Sequence, residues 1–207
     1  MSAFETSLAE RSLSILDILT RVTRKMTEGE LLQLTTLGRT DISEQQYLDI
    51  IQRKTAYLFS ACCEVGAILG GAGDTEQKAL ADYGMNLGMA FQLTDDLLDF
   101  TSTDDTLGKG AGVDLLGGKV TLPLIFLMAR EHSAREMVQT VMTDTNYETV
   151  TRRELLEALG RAEAIDRARA CADEYAEAAR ISLDHLPESP YCESLRAIPG
   201  YVLDRDR

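Results

Sequence analysis

Residues 91–99 (FQLTDDLLD) place Gln92, Asp95, Asp96 and Asp99 at i, i+3, i+4 and i+7, one narrow stripe when the segment is helical. Leu93, Leu97, Leu98 and Phe100 occupy the other directions, so the acidic stripe interrupts an otherwise apolar helix. Like charges on adjacent turns destabilise a helix unless a cation bridges them. Hard oxygen ligands on one helix face suit Mg²⁺, which keeps several waters and completes its shell with phosphate oxygens. Gly88 and Met85 continue the stripe, with Gly84 beside it, and leave room for something bulky. Downstream, Gly108-Lys109 and Gly118-Lys119 frame Gly110, Gly112 and Asp114: glycine lets backbone approach a ligand and lysine supplies point charge for phosphate. The segment is not a P-loop, because Val113 stands where the first glycine is required and Val120 follows Lys119. The joint reading is a site that grips a diphosphate through divalent metal.

Each piece has a plainer alternative. Asp95, Asp96 and Asp99 taken alone fit a solvated acidic face, and the glycine-lysine segment taken alone fits a mobile surface loop. Lys54 lies on an apolar stripe with Tyr47, Ile51 and Leu58, where a lysine either snorkels out or reaches an internal anion. Thr55 beside it offers a hydroxyl. Gln33 continues the inward stripe of an earlier helix near Gly29 and Glu30, and Glu30 reads as a satisfied core polar group.

The elements that must position these side chains are all helical. Ile15, Leu19, Val22, Met26 and Gln33 predict a first long helix over about 4–36. A second runs from Glu44 to Gly70, opened by a Ser43/Gln46 capping box, and a third from Asp74 or Thr75 to about Thr101. Residues 102–119, with five glycines and no apolar period, form a loop. Further helices fit about 120–130 with Pro123 in the first turn, 134–143, 152–159 behind a Thr151/Glu154 capping box, and 164–185, with one more after Pro187. No strand pattern, repeat or linker appears. The fold class is all-α, with long helices packed as a bundle, over one domain spanning 1–207.

Composition sets outer limits. A formal charge of −13 argues against nucleic acid as partner and requires any anion to be held by local lysines and metal. Four cysteines without CxxC spacing point to a reducing, cytoplasmic setting, and Cys62 and Cys63 read as buried packing residues. His132 and His185 lack partners at metal-ligand spacing, which argues against zinc. No signal peptide is indicated, and the most apolar stretch, 56–72, is short and contains Glu64, so a core helix is expected there and no stable membrane span.

KTAYLF from Lys54, GMNLGMAFQLTDDLLDF from Gly84, LGKGAGVDLLGGKVTLPL from Leu107 and GELLQL from Gly29 together resemble the trans-isoprenyl diphosphate synthases, or polyprenyl synthetases. The looser likeness covers essentially the whole chain, and its style is similar to the medium- and long-chain members. The resemblance implies an all-α fold around a central cavity, usually a homodimer, and a Mg²⁺-dependent (or Mn²⁺-dependent) prenyltransferase. Its members condense an allylic diphosphate with isopentenyl diphosphate between two aspartate-rich motifs. Asp95, Asp96 and Asp99 would then be the second motif, with Asp95 the foremost metal ligand and Asp114 in the outer metal shell. Lys54, Thr55, Gln92 and Lys109 would contact the allylic diphosphate, Lys119 would add positive charge nearby, and Phe91 would line the isopentenyl side. Lys54, Thr55 and Lys109 would act as catalytic groups.

One departure is large. No Asp-Asp pair precedes Asp95, and no Gly-Lys-x-Arg segment matches upstream. The resemblance therefore implies the carboxyl-terminal portion of a synthase, lacking the amino-terminal helices and inactive alone, as a homo-oligomer or with a partner supplying the missing half. Other readings are a non-catalytic subunit of a heteromeric synthase, a class I terpene cyclase, and a plain helical interaction protein. The Lys54-Thr55 and double glycine-lysine signatures favour the synthases.

Overall fold

A 28-residue helix, Asp74–Thr101, is the axis of the molecule: the helices Tyr57–Leu69, Leu122–Arg130, Ala164–Ser182 and Pro190–Leu203 pack against it, and its carboxyl-terminal end carries the acidic stripe. The computed structural model describes residues 2–101 and 112–206. In chain order the helices are α1 (Ser2–Ala9), α2 (Leu13–Thr36), α3 (Glu44–Ile51), α4 (Tyr57–Leu69), α5 (Asp74–Thr101), α6 (Val113–Leu116), α7 (Leu122–Arg130), α8 (Ala134–Asp144), α9 (Arg152–Arg161), α10 (Ala164–Ser182) and α11 (Pro190–Leu203). A π-helical segment, Gln52–Ala56, joins α3 to α4, and a 3₁₀ turn, Asp204–Asp206, follows α11. Among the described residues there is no strand, which agrees with the all-α expectation. No helix among them is long and apolar enough to cross a membrane.

Two flanks hold α5. On one side lies α4. On the other, α10 turns Ala164, Ala168, Ala172, Ala176 and Ala179 inward, all buried, and these small side chains let the two helices run close together. Met89, Leu93, Leu97 and Phe100 of α5 enter a core shared with α7, which is buried on every residue from Leu122 to Met128, while Leu87 packs in a second core with α10 and α11. Tyr83 ties α5 to α11 by donating to the Leu195 carbonyl at 2.8 Å.

Local signals place most boundaries. Both capping boxes form: Ser43 with Gln46 opens α3, and Thr151 with Glu154 opens α9. Pro123 sits in the first turn of α7, where its missing N–H has no cost. Three expectations change. The first long helix is two helices, because Arg11 adopts φ +50° and Ser12 caps α2 through the Ile15 N–H. The second is broken by the π-helical segment, whose wider turn rotates all that follows; Tyr47 and Ile51 are buried but Leu58 is 41% exposed. The segment read as loop up to residue 119 contains the short helix α6. The expected packing role of Cys62 is also corrected: Cys62 is exposed, Cys63 is half-buried, and no disulfide involves either.

Candidate functional site

The acidic stripe is held from three sides, and its members have different surroundings. Asp96 is the one charged residue buried among the described residues, at 1% exposure. Its Oδ2 accepts from the Tyr47 hydroxyl at 2.6 Å. Its Oδ1 accepts from Gln92 Nε2 at 2.9 Å and from Lys119 Nζ at 2.9 Å. Lys119 also donates to Asp114 Oδ2 at 2.7 Å, and the Thr55 hydroxyl donates to Gln92 Oε1 at 2.7 Å. A continuous hydrogen-bonded chain thus runs from Thr55 through Gln92 and Asp96 to Lys119 and Asp114.

Burial pushes the Asp96 carboxyl above its ordinary value, while Lys119, Tyr47 and Gln92 pull it back. Burial alone would lower the Lys119 ammonium, but the charges of Asp96 and Asp114 overcome it and raise the group above the ordinary lysine value. Both Asp96 oxygens face donors, Gln92 and Lys119 on Oδ1 and Tyr47 on Oδ2, an arrangement that suits a carboxylate paired with an ammonium.

Asp95 and Asp99 have other surroundings. Asp95 points outward, with Arg205 Nη2 at 3.6 Å, beyond hydrogen-bond distance. Arg205 lies over the Phe91 ring at 5.0 Å, and Phe91 in turn packs 5.3 Å from Phe59. Asp99 receives the Val113 N–H on Oδ1 at 2.9 Å and the Asp114 N–H on Oδ2 at 3.1 Å. Burial, then the charge of Asp114, raises the Asp99 carboxyl, while those N–H bonds lower it. Gly112 donates to the Asp99 carbonyl at 2.6 Å and receives the Tyr147 hydroxyl at 2.6 Å, in a φ +80° conformation that suits glycine.

Lys54 does not join the Asp96 network. Its Nζ donates to Gln33 Oε1 at 3.0 Å and pairs with Glu30 at 3.2 Å, so this lysine reaches an anion of α2. Glu30 is exposed and pairs with Lys54, which corrects its reading as a core polar group. Lys109, Gly108 and Gly110 lie outside the described residues. The glycines of α5 leave no space for a ligand: a Cβ at Gly84 would meet the Phe59 carbonyl oxygen at 2.5 Å, and one at Gly88 would meet Ala56 Cα at 2.6 Å. They are the contact surface that draws α5 against the π-helical segment and α4. Gly29 does the same from α2: a Cβ there would meet the Lys54 backbone nitrogen at 2.7 Å.

Sequence reasoning missed the polar role of Tyr47, which was counted on an apolar stripe, and the position of Arg205. For Tyr47 the available signal was its hydroxyl on a core-facing position, since a buried tyrosine needs a partner. For Arg205 there was none.

Among the described residues no three acidic, histidine or cysteine side chains converge as a ready-made metal group. The donor chemistry suits a hard cation that takes few ligands from this chain. Asp95 carries an exposed carboxylate, Asp99 retains lone pairs, and Asp96 is spent on internal donors.

Comparison with known proteins gives the family. The family profile described as polyprenyl synthetase matches residues 1–159. Octaprenyl diphosphate synthase of Escherichia coli is 38% identical over 209 residues; the match covers 99% of this chain and 64% of that protein, so the chain spans less than two thirds of its relative's length. Heptaprenyl diphosphate synthase component 2 of Geobacillus stearothermophilus is 36% identical, over 91% of this chain and 58% of the relative. Among solved structures, a decaprenyl diphosphate synthase from Rhodobacter capsulatus superposes with a TM-score of 0.90 at 32% identity, covering 99% of this chain and 63% of that one. A polyprenyl synthase from Caulobacter crescentus, solved with calcium and isoprenyl diphosphate, does so with a TM-score of 0.90 at 37% identity, with the same coverage of both chains. In profile, sequence and backbone alike, the chain belongs to the polyprenyl synthetase family.

Proposed function

We propose that this chain contributes the second aspartate wall of a polyprenyl diphosphate synthase and binds the diphosphate of an allylic substrate through divalent metal, Mg²⁺ or Mn²⁺. One observation carries the reading. Of the neighbouring pair Asp95 and Asp96, one carboxylate is exposed and the other is locked by Lys119, Gln92 and Tyr47 into a rigid mount. A metal-diphosphate edge needs that division between an open ligand and a fixed support. The similar Caulobacter protein, solved with calcium and an isoprenyl diphosphate, supports it.

Asp95 would hold the metal directly, with Asp99 beside it and Asp96 in support. When bound, the metal neutralises diphosphate charge and so favours its departure. Thr55 and Gln92 orient the diphosphate oxygens, Lys119 adds positive charge, and Lys54 turns from Glu30 toward the anion; Lys109 belongs to the same set. Phe91 and Phe59 form an apolar flank. In the reaction the allylic C–O bond breaks, the isopentenyl double bond forms a C–C bond to the allylic carbon, and a proton is lost, leaving a longer allylic diphosphate. The residues of this chain bind and orient; none acts as a nucleophile.

A second reading rests on the relative named as component 2 of a heptaprenyl synthase. Here the chain pairs with a different polypeptide that supplies the facing wall, instead of a second copy of itself. Native mass spectrometry separates the two. The binding reading is tested by calorimetric titration of the 207-residue chain with Mg²⁺ and pyrophosphate. Binding that requires both and disappears in Asp95→Ala is expected; no heat from the wild-type chain sinks it.

A further inference from the structure

We propose that Tyr47 is a positioning residue of this site, holding Asp96 so that Asp96 in turn fixes the Lys119 ammonium and the Gln92 carboxamide where an anionic ligand is received. The inference rests on the diphosphate-binding reading and extends it to a residue on α3. Tyr47 is 3% exposed and Asp96 1% exposed, and they lie 49 residues apart in the chain, so their 2.6 Å bond joins two helices inside the core. Among the described residues the Tyr47 hydroxyl is the donor to Oδ2, while Oδ1 serves both Gln92 and Lys119. Two anchored oxygens fix the plane of the carboxylate. With Oδ2 released, that plane turns, and Lys119 shifts toward Asp114, its other partner at 2.7 Å. Gln92 loses its reference and takes the Thr55 contact with it.

A tyrosine placed only for packing would tolerate loss of its hydroxyl at this site's outward face. The ring alone fills the core among Ile50, Ile51 and Leu97. The hydroxyl has a different consequence because Lys119, whose side chain is 24% exposed, carries the positive charge of the buried network toward the outside. Tyr47 also lies on the same run of chain as Thr55, one helix before the π-helical turn. Its bond therefore sets the rotation of the element that delivers Thr55 to Gln92.

The test uses Tyr47→Phe in the 207-residue chain, with two readouts. The ¹⁵N-detected ammonium signal of Lys119, assigned with Lys119→Arg, shifts in the ligand-free variant, while circular dichroism stays unchanged. Calorimetry with Mg²⁺ and pyrophosphate shows affinity reduced about tenfold, and Tyr47→Phe adds nothing further in a Lys119→Ala background. An unmoved Lys119 signal, an affinity within about twofold of wild type, or additive losses in the double variant overturn the proposal. Should Tyr47→Phe fail to fold, the wild-type chain decides: the Tyr47 ring signals move with that of Lys119 on ligand addition, and fixed ring signals refute the coupling. Absence of binding by the wild-type chain refutes the diphosphate reading, and the ligand-free Lys119 signal then judges the role of Tyr47 separately.

Discussion

Asp95 and Asp96 differ by one position and about 100° of helix rotation, and that angle separates a solvated carboxylate from one enclosed by three donors. Removing one partner of a buried ion pair leaves the other uncompensated, so Asp96→Ala is expected to cost about 3 kcal/mol, the low end of that range because Lys119 remains in reach of water. Asp95→Ala should stay within about 0.5 kcal/mol, as an exposed substitution. Urea denaturation of both variants checks the contrast, and equal losses would refute it. The adjacent cysteines diverge in the same way. Burial, then the neighbouring Cys62, pushes the Cys63 thiol from 9.0 up to about 11. The folded state thus favours neutral Cys63, and the stability this gives is complete below the ordinary value and lost as pH rises through about 11. At pH 8 iodoacetamide should modify exposed Cys62 and spare Cys63, and peptide mass spectrometry will show whether it does.

Among the elements, the π-helical segment Gln52–Ala56 decides the geometry. One wide turn inside a helical run delivers Thr55 to Gln92 and turns Lys54 toward α2, a use of π-turns common at functional sites. Gly88 of α5 and Gly29 of α2 let both helices approach this segment to backbone contact, and Gly84 does the same for α5 against α4. Gly88→Ala gains about 1 kcal/mol in helix propensity but forces a Cβ against the Ala56 backbone, so a net loss of about 2 kcal/mol is expected, with weaker pyrophosphate binding as Gln92 moves from Thr55. A more stable Gly88→Ala chain would show that α5 does not need this approach. The capping boxes at Ser43 and Thr151 were readable because hydrogen-bonding side chains at fixed spacing specify a helix start. The π-turn was not, because one extra residue per turn leaves no compositional trace; it shows only in Leu58 facing water. For the same reason the glycines of α5 looked like space for a ligand. Sequence marks where a side chain is missing, and only packing tells whether a helix or a ligand fills the gap.

For the molecule as a whole, charge sets the terms of ligand binding. The chain carries a formal −13, and Lys54 and Lys119 are already paired with Glu30, Asp96 and Asp114. An incoming diphosphate meets a net acidic wall, so pyrophosphate without divalent metal should give no measurable binding, and added Mg²⁺ should create it. Calorimetry with a chelator present checks this directly, and strong metal-free binding would contradict it. With one aspartate-rich motif in the 207 residues, the chain is expected to form no prenyl product from allylic and isopentenyl diphosphates. Organic extraction after incubation with radiolabelled isopentenyl diphosphate measures that, and robust turnover would refute it.

Residue type and spacing alone determined the all-α class, most helix starts and the Asp95–Asp99 stripe, since periodicity and capping are local chemistry; the family came from resemblance of whole segments to known synthases. Tertiary structure decided which carboxylate opens outward, that Lys119 belongs to Asp96 while Lys54 belongs to α2, and that Tyr47 closes the network. Those outcomes depend on how helices far apart in sequence are rotated against one another, and rotation is set by close packing at Gly84, Gly88 and the π-turn, where no single segment contains the information.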